Sequence, residues 1–307
     1  MDWLIHHEYH TNAIALNTAR NALVYLVRSK SISKIYIPYY LCDSVSNVCE
    51  RENIRYEFYH TDENFLPIFE RELDENEYLY VVNFYGQVSQ AKIAEIKTKY
   101  NRIILDNVQA FFEAPVDEVD TIYSCRKFFG VPDGAYLYSD AKHLPLPTDT
   151  SMTRMTHILG RFERQSASDF YQDFQTNDSL FEQLPPMYMS NLTHNILGAI
   201  DYQQVVAKRN ENWATLHKAL GNKNKLQLQM PKGPYMYPFY CKNGARIRKA
   251  LIEKKIYIPT LWPNVLNFEE CDLEKDYAQN ILPLPCDQRY SEQDMMQIKA
   301  EILKWID

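Results

Sequence analysis

The chain has 307 residues, 46% of them hydrophobic and 24% charged, with a formal net charge of −7. That size holds one large domain with a smaller appendage, or two domains, with the apolar content of an ordinary globular protein. The acidic balance, the lack of a basic block and the lack of an apolar run of membrane-spanning length argue against nucleic acid and membranes as partners.

The N-terminal stretch Met1-Asp2-Trp3-Leu4-Ile5-His6-His7 has no basic segment ahead of an apolar core, so no signal peptide is expected. A helix is expected from Thr18 to about Ser29, because Ala22, Leu23, Leu26 and Val27 share a face. Lys34 to Ile37 reads as a short strand stopped by Pro38, and Asp43 as the cap of a helix through Cys49. Strands follow at Arg55 to Tyr59 and Tyr78 to Val82, a helix at Ser89 to about Tyr100, and strands at Arg102 to Leu105, Asp120 to Tyr123 and Ala135 to Tyr138. Repeated β-α-β units of this kind build a largely parallel sheet between helical layers.

Residues 141–190 break the alternation: they open on Leu144-Pro145-Leu146-Pro147 and continue as helical segments rich in Phe, Asp and Gln, as expected of a lid or a dimer arm. Leu197 to about Leu220 reads as one long helix leading out of the large domain. Strand-like pieces at Tyr237 to Cys241 and Ile256 to Pro259, with amphipathic helices at Gly244 to Lys254 and Ser291 to Ile306, suffice for a small α+β domain. The expected division is therefore 1–205 for the large domain and 206–307 for the small one. The six cysteines, Cys42, Cys49, Cys125, Cys241, Cys271 and Cys286, are scattered without a CxxC pair and are expected as free thiols in a reducing cytoplasm. The acceptor-like triplets at Asn177 and Asn191 then carry no meaning for glycosylation.

Two side chains carry most of the chemical information. Asp106 ends the strand Ile103-Ile104-Leu105, and Lys127 follows the strand Asp120-Thr121-Ile122-Tyr123 in the run Ser124-Cys125-Arg126-Lys127. In an open α/β sheet, ligands bind just past the carboxyl ends of the strands. A lysine there can form a Schiff base with an aldehyde cofactor, and a carboxylate can hold a pyridinium nitrogen protonated; these are the two groups that pyridoxal phosphate requires of a protein. Desolvation would favour the neutral amine. The competing structural roles are a solvated surface lysine and an aspartate that caps a helix. Gln109, placed one helical turn after Asp106, could lie against the ring or face solvent.

Asn17-Thr18-Ala19-Arg20 precedes an apolar helix, and a helix start with Thr and Arg side chains binds phosphate readily, with Ser124 as a further candidate. Tyr39 and Tyr40 follow the first strand, and Asn83, Tyr85 and Gly86 follow the third; an aromatic side chain at these strand ends could stack on a flat ring or pack in the core. His6, His7 and His10 have no supporting Cys or acid constellation and are expected at a surface or interface rather than on a metal. Arg289 could clamp a substrate carboxylate or pair with Asp287. No nucleophile elbow, Walker loop or dinucleotide fingerprint is present.

Taken in order, Asn17-Thr18-Ala19-Arg20-Asn21-Ala22-Leu23, Ile35-Tyr36-Ile37-Pro38-Tyr39-Tyr40, Val82-Asn83-Phe84-Tyr85-Gly86-Gln87, Leu105-Asp106-Asn107-Val108-Gln109-Ala110, Ser124-Cys125-Arg126-Lys127, Asp133-Gly134-Ala135 and Leu192-Thr193-His194-Asn195-Ile196 resemble the DegT/StrS-type sugar aminotransferases, pyridoxal-phosphate enzymes of fold type I. The likeness is good over roughly residues 12–140 and patchy beyond. It implies a three-layer α/β/α sandwich with a mostly parallel sheet and a small α+β C-terminal domain. It also implies a homodimer with the active site at the interface, where the region of Ser190 and Asn191 reaches the partner's cofactor. By the same resemblance Lys127 carries the cofactor and moves a proton, Asp106 pairs with the pyridinium, Gln109 contacts the ring oxygen side, and Thr18, Ala19 and Ser124 hold the phosphate. The implied reaction moves an amino group from an amino acid, glutamate by expectation, to a keto sugar, nucleotide-linked by expectation, in amino-sugar or polysaccharide biosynthesis. The chain departs from the family in its shorter length, in the spacing of Ser124 and Lys127, and in having Cys42 where the family places the ring-stacking aromatic. Two rivals follow: a non-catalytic pyridoxal-phosphate sensor, favoured if no arginine faces the cofactor, and a cofactor enzyme of another reaction type. The dehydratase relatives replace the lysine with histidine, so Lys127 weighs against that branch.

Overall fold

The computed structural model describes residues 7–164 and 168–306. Its main sheet contains β1 (Ile14–Leu16), β2 (Lys34–Pro38), β3 (Arg55–Thr61), β4 (Pro67–Ile68), β5 (Glu77–Val82), β6 (Ile103–Asp106), β7 (Asp120–Ser124) and β8 (Ala135–Tyr138), in the order β1-β8-β7-β6-β5-β2-β3-β4. The ladders from β3 through β2, β5 and β6 to β7 are parallel, and β8 runs antiparallel to both β7 and β1. Side chains alternate between the two faces. Ile35, Ile37, Tyr80, Val82, Ile104 and Ile122 pack on one face with α1 (Ala19–Lys30) and α2 (Asp43–Arg51). Tyr36, Leu79, Val81, Ile103 and Leu105 pack on the other with α3 (Gln90–Tyr100). Two apolar faces on one sheet require two covering layers, and the result is the α/β/α sandwich expected from the sequence.

The register decides where the site falls. Val82 is level with Asp106, so β5 and β6 end together, and β7, level with them at Ile122, runs on to Ser124 at the same edge. Ala135 of β8 pairs with both Ser124 and Leu16, which brings the end of β1, and with it the start of α1, to that same edge. Gly134 makes the return from β7 to β8 possible at a φ of +118°, and its N–H donates to the Asn17 carbonyl at 2.6 Å.

Residues 141–190 leave the sheet and come back to it. Leu144 and Leu146 pack on the main core, and Tyr188 bridges to Leu16 and Thr148. Between them lie α4 (Thr156–Arg164) and α5 (Tyr171–Gln183). The helix α6 (Asn191–Gly198) is locked by buried Asp133, which accepts from the Ser190 N–H at 2.9 Å, from the Ser190 hydroxyl at 2.7 Å and from Thr193. The single helix expected from Leu197 to Leu220 is in fact broken: α6 stops at Gly198, and α7 (Tyr202–Leu220) restarts under an Asp201 cap that accepts from the Gln204 N–H. A capping Asp and a nearby Gly favour a break over a continuous helix.

A second core gathers Trp213, Leu216 and Leu220 of α7 with β9 (Met236–Tyr240), α8 (Gly244–Glu253), β10 (Ile281–Pro285) and α10 (Glu292–Leu303). The strand expected at Ile256 to Pro259 is irregular backbone; its place is taken by β10, which follows α9 (Asp272–Asn280). The prolines of Ile281-Leu282-Pro283-Leu284-Pro285 hide a strand signal, yet a two-stranded ribbon tolerates Pro238 opposite Pro283. Among the described residues no helix is long and apolar enough to cross a membrane.

Candidate active site

A cavity of about 450 Å³ opens at the carboxyl edge of the sheet, lined by the start of α1, the ends of β5, β6 and β7, the segment after β7, α4, α5, and Tyr235 and Trp262 from the C-terminal part. Asp106 and Lys127 both line it. Asp106 is 4% exposed and held by two donors: the Tyr80 hydroxyl gives a hydrogen bond to Oδ2 at 2.9 Å, and the Val108 N–H one to Oδ1 at 2.9 Å. The second bond makes an Asx turn, so the aspartate initiates a turn rather than the helix that the sequence allows. Burial pushes its pKa above the usual carboxylate range, against the pull of Lys127, the Val108 N–H and Tyr80.

Lys127 is exposed, and it lines the cavity. Burial lowers its pKa, and Asp106 opposes that shift. The amine stands 5.8 Å from the centre of the Tyr235 ring. Thus one end of the cavity holds a poised amine beside a structurally fixed carboxylate.

The helix start forms an adjoining wall. Thr18 caps α1 by accepting from the Asn21 N–H, and the first turn contains no acidic residue. The N–H groups of Ala19 and Arg20 therefore lie in an N-terminal turn without helical acceptors, beside Ser124 and Arg126 on the cavity wall. Arg20 and Arg126 share Asp178 of α5, at 4.0 and 3.1 Å. Arg126 also lies 4.4 Å over the Phe181 ring. The sequence carries no sign of Asp178, His157 and Arg161, because nothing local marks a helix of the 141–190 segment as folding back to the sheet edge; Arg126 stands in the Ser124–Lys127 run, where no role is expected for it.

The other expected residues distribute as follows. Gln109 lines the cavity and is buried, with Oε1 accepting from the Tyr85 N–H at 2.8 Å. Asn83 braces two strand ends instead of reaching the cavity: its Nδ2 donates to Asn107 at 3.0 Å, and its Oδ1 accepts from the Val88 N–H at 2.9 Å. Tyr40 and Tyr85 are buried against each other and against Trp262, off the cavity wall. The aromatic residues that line the cavity are Tyr80, Phe129, Phe174, Tyr235 and Trp262, with Cys42 and His157 also on the wall. Arg289 forks onto Asp287 at 2.8 and 2.9 Å, the local pairing rather than a cavity-lining clamp. Asn191 is exposed at the start of α6, off the cavity of its own chain.

His10 is buried, not at the surface; one ring nitrogen bonds the Phe111 carbonyl at 2.8 Å and the other the Tyr138 hydroxyl at 3.2 Å. His7 is exposed, and His6 lies outside the described residues. Elsewhere His60, Cys271 and Glu274 bring their ligand-type atoms within 4.8 Å of one another, with Glu274 accepting from the Thr61 N–H and bonded to His60.

The donor set fits pyridoxal phosphate: an amine for its aldehyde, a buried carboxylate for its ring nitrogen, and a helix start with Ser124 and two arginines for its phosphate. No protein-family model matches the sequence, and no curated protein matches it. Solved structures match the fold over nearly the whole chain. A DegT DnrJ EryC1 StrS aminotransferase from Brucella abortus is 14% identical, with 96% of this chain and 86% of that one covered at a TM-score of 0.66. Spr1654 from Streptococcus pneumoniae in its PLP form is 12% identical, with 95% and 87% covered at 0.65. DesI in the presence of its TDP-sugar product is 10% identical, with 94% and 79% covered at 0.64. The fold is the one these proteins share.

Proposed function

We propose that the protein is a pyridoxal-phosphate-dependent aminotransferase that moves an amino group from an amino acid, with glutamate as donor, to a nucleotide-linked keto sugar. The observation that carries this reading is the meeting of Lys127 and Asp106 in one cavity at the sheet edge. The similarity in fold to aminotransferases, one with its cofactor and one with a TDP-sugar product, supports it. When bound, the cofactor supplies an aldehyde that captures amines and a cationic ring that draws electrons from the substrate.

The chain's own residues have distinct tasks. Lys127 would hold the cofactor and, as a free amine, would take a proton from the substrate's Cα and return one. Its lowered pKa, caused by burial, works in favour of the neutral amine that both tasks need. Asp106, fixed by Tyr80 and Val108, keeps a proton on the ring nitrogen. Thr18, Ala19, Arg20, Ser124 and Arg126 take the phosphate. Gln109, its oxygen held by Tyr85, is left with an amide N–H₂ for the ring oxygen side.

The sensor reading gains from the position of Arg289 off the cavity, but Arg20, Arg126 and Arg161 on the wall weigh against it. The working unit is a cytoplasmic homodimer in this proposal. The test is the half-reaction: loaded protein mixed with glutamate should release 2-oxoglutarate. Asp106→Asn should slow that release by about 100-fold or more, the scale of losing a preorganised electrostatic contact. Release by the Asn variant at the wild-type rate would remove Asp106 from its role.

A further inference from the structure

We infer that Arg161 of α4 is a second anion site on the substrate side of the cavity, so that the substrate brings a carboxylate or a phosphate to this helix. The inference rests on the aminotransferase reading for what reacts, and on the cavity alone for what binds.

A census of the cations on the cavity wall carries the argument. Arg20 and Arg126 share Asp178, and Lys127 works against Asp106. Arg161 has no carboxylate within ion-pair distance among the described residues, and its buried Nε has no hydrogen-bond partner. A guanidinium cannot shed its charge, and a buried unmet donor is unfavourable unless a ligand meets it. A carboxylate or phosphate oxygen fits the planar fork best.

The position is fixed by the fold. His157, Ile158 and Arg161 lie on the one face of α4 that lines the cavity. On another side, Gly160 packs so closely on Phe170 that a Cβ would overlap the ring. Arg126 is acted on by Arg20 and Asp178 and Arg161 by Arg289, while His157 stands within electrostatic reach of both Arg126 and Arg161. Burial and Arg289 together hold the Arg161 pKa below its ordinary value, and Arg126 and Arg161 do the same to His157. Arg161 thus lines the cavity with no direct ion pair among the described residues, the nearby acids being Asp173, which acts on His157, and Asp287, which is already paired with Arg289.

The shared chemistry has two sources, the amino donor's distal carboxylate and the acceptor's diphosphate. The protein is loaded with pyridoxal phosphate and followed by its visible absorption band. Glutarate and thymidine diphosphate, neither of which can react, are then titrated by calorimetry into wild type, Arg161→Gln and Arg161→Lys. The expected result is an unchanged band in all three proteins and a loss of about 10- to 100-fold in affinity for at least one anion in Arg161→Gln, partly restored in Arg161→Lys. Loss for glutarate alone assigns the donor, loss for thymidine diphosphate alone the acceptor, and loss for both a shared site. Equal affinities in wild type and Arg161→Gln, or no binding of either anion by wild type, would overturn the inference. If wild type shows no visible band, the aminotransferase reading fails, while the anion titrations still decide Arg161.

Discussion

Burial acts on Asp106 and Lys127 in opposite directions, raising one pKa and lowering the other, and each side chain partly restores its partner's charge. A fixed carboxylate beside a reluctant cation has its energy already set for an incoming cationic ring. His10 shows the same physics with a readout in stability. Burial pushes its pKa from 6.5 down to about 4. Between those values the unfolded chain binds the proton and the folded chain does not, so stability falls as pH drops through the window and is complete above it. The expected loss is about 3 kcal/mol, from about 1.4 kcal/mol per pH unit. Urea unfolding at pH 7 and pH 4.5 should show about 2 kcal/mol of that loss in wild type and a smaller one in His10→Gln; parallel slopes would contradict it.

At the scale of elements, the turn after β7 ties the lysine segment to β1 and α6. Gly134 sits at φ +118°, and a Cβ there would stand 3.0 Å from Thr193 and 3.1 Å from the Cys125 side chain. Gly134→Ala should destabilise the fold by about 1–3 kcal/mol and weaken cofactor binding with it, as thermal melts and a pyridoxal phosphate titration would show. An unchanged melting temperature would mean that the turn relaxes freely. The strands that position Asp106 and Lys127 were legible because buried parallel strands read as apolar runs ending in polar residues. β10 was not, because its prolines mask a ribbon that needs few ladder bonds. Tyr40, Tyr85 and Asn83 sit at strand ends as read, yet a strand end leaves open whether a side chain turns to the cavity or to the core. Arg161 was invisible for another reason: its partner surface lies far away in sequence, and its helix carries no signal of its own.

For the molecule as a whole, the 141–190 segment does more than one thing. Part of it lines the cavity, and it also exposes Met152 by 78%, Leu159 by 57%, Phe162 by 76% and Tyr171 by 56%. Large apolar side chains left in the open along one segment suit an interaction surface, and the proposed homodimer gives this one an occupant. Sedimentation of wild type should then show a dimer, with Phe162→Asp weakening self-association by about tenfold or more; a monomeric wild type would contradict the assembly. The most direct test of the central claim is covalent. Protein incubated with pyridoxal phosphate is reduced with borohydride, digested and analysed by mass spectrometry. The account predicts one phosphopyridoxyl group per chain, on Lys127, and none in Lys127→Ala. Label spread over surface lysines, or label retained at full level in the variant, would contradict it.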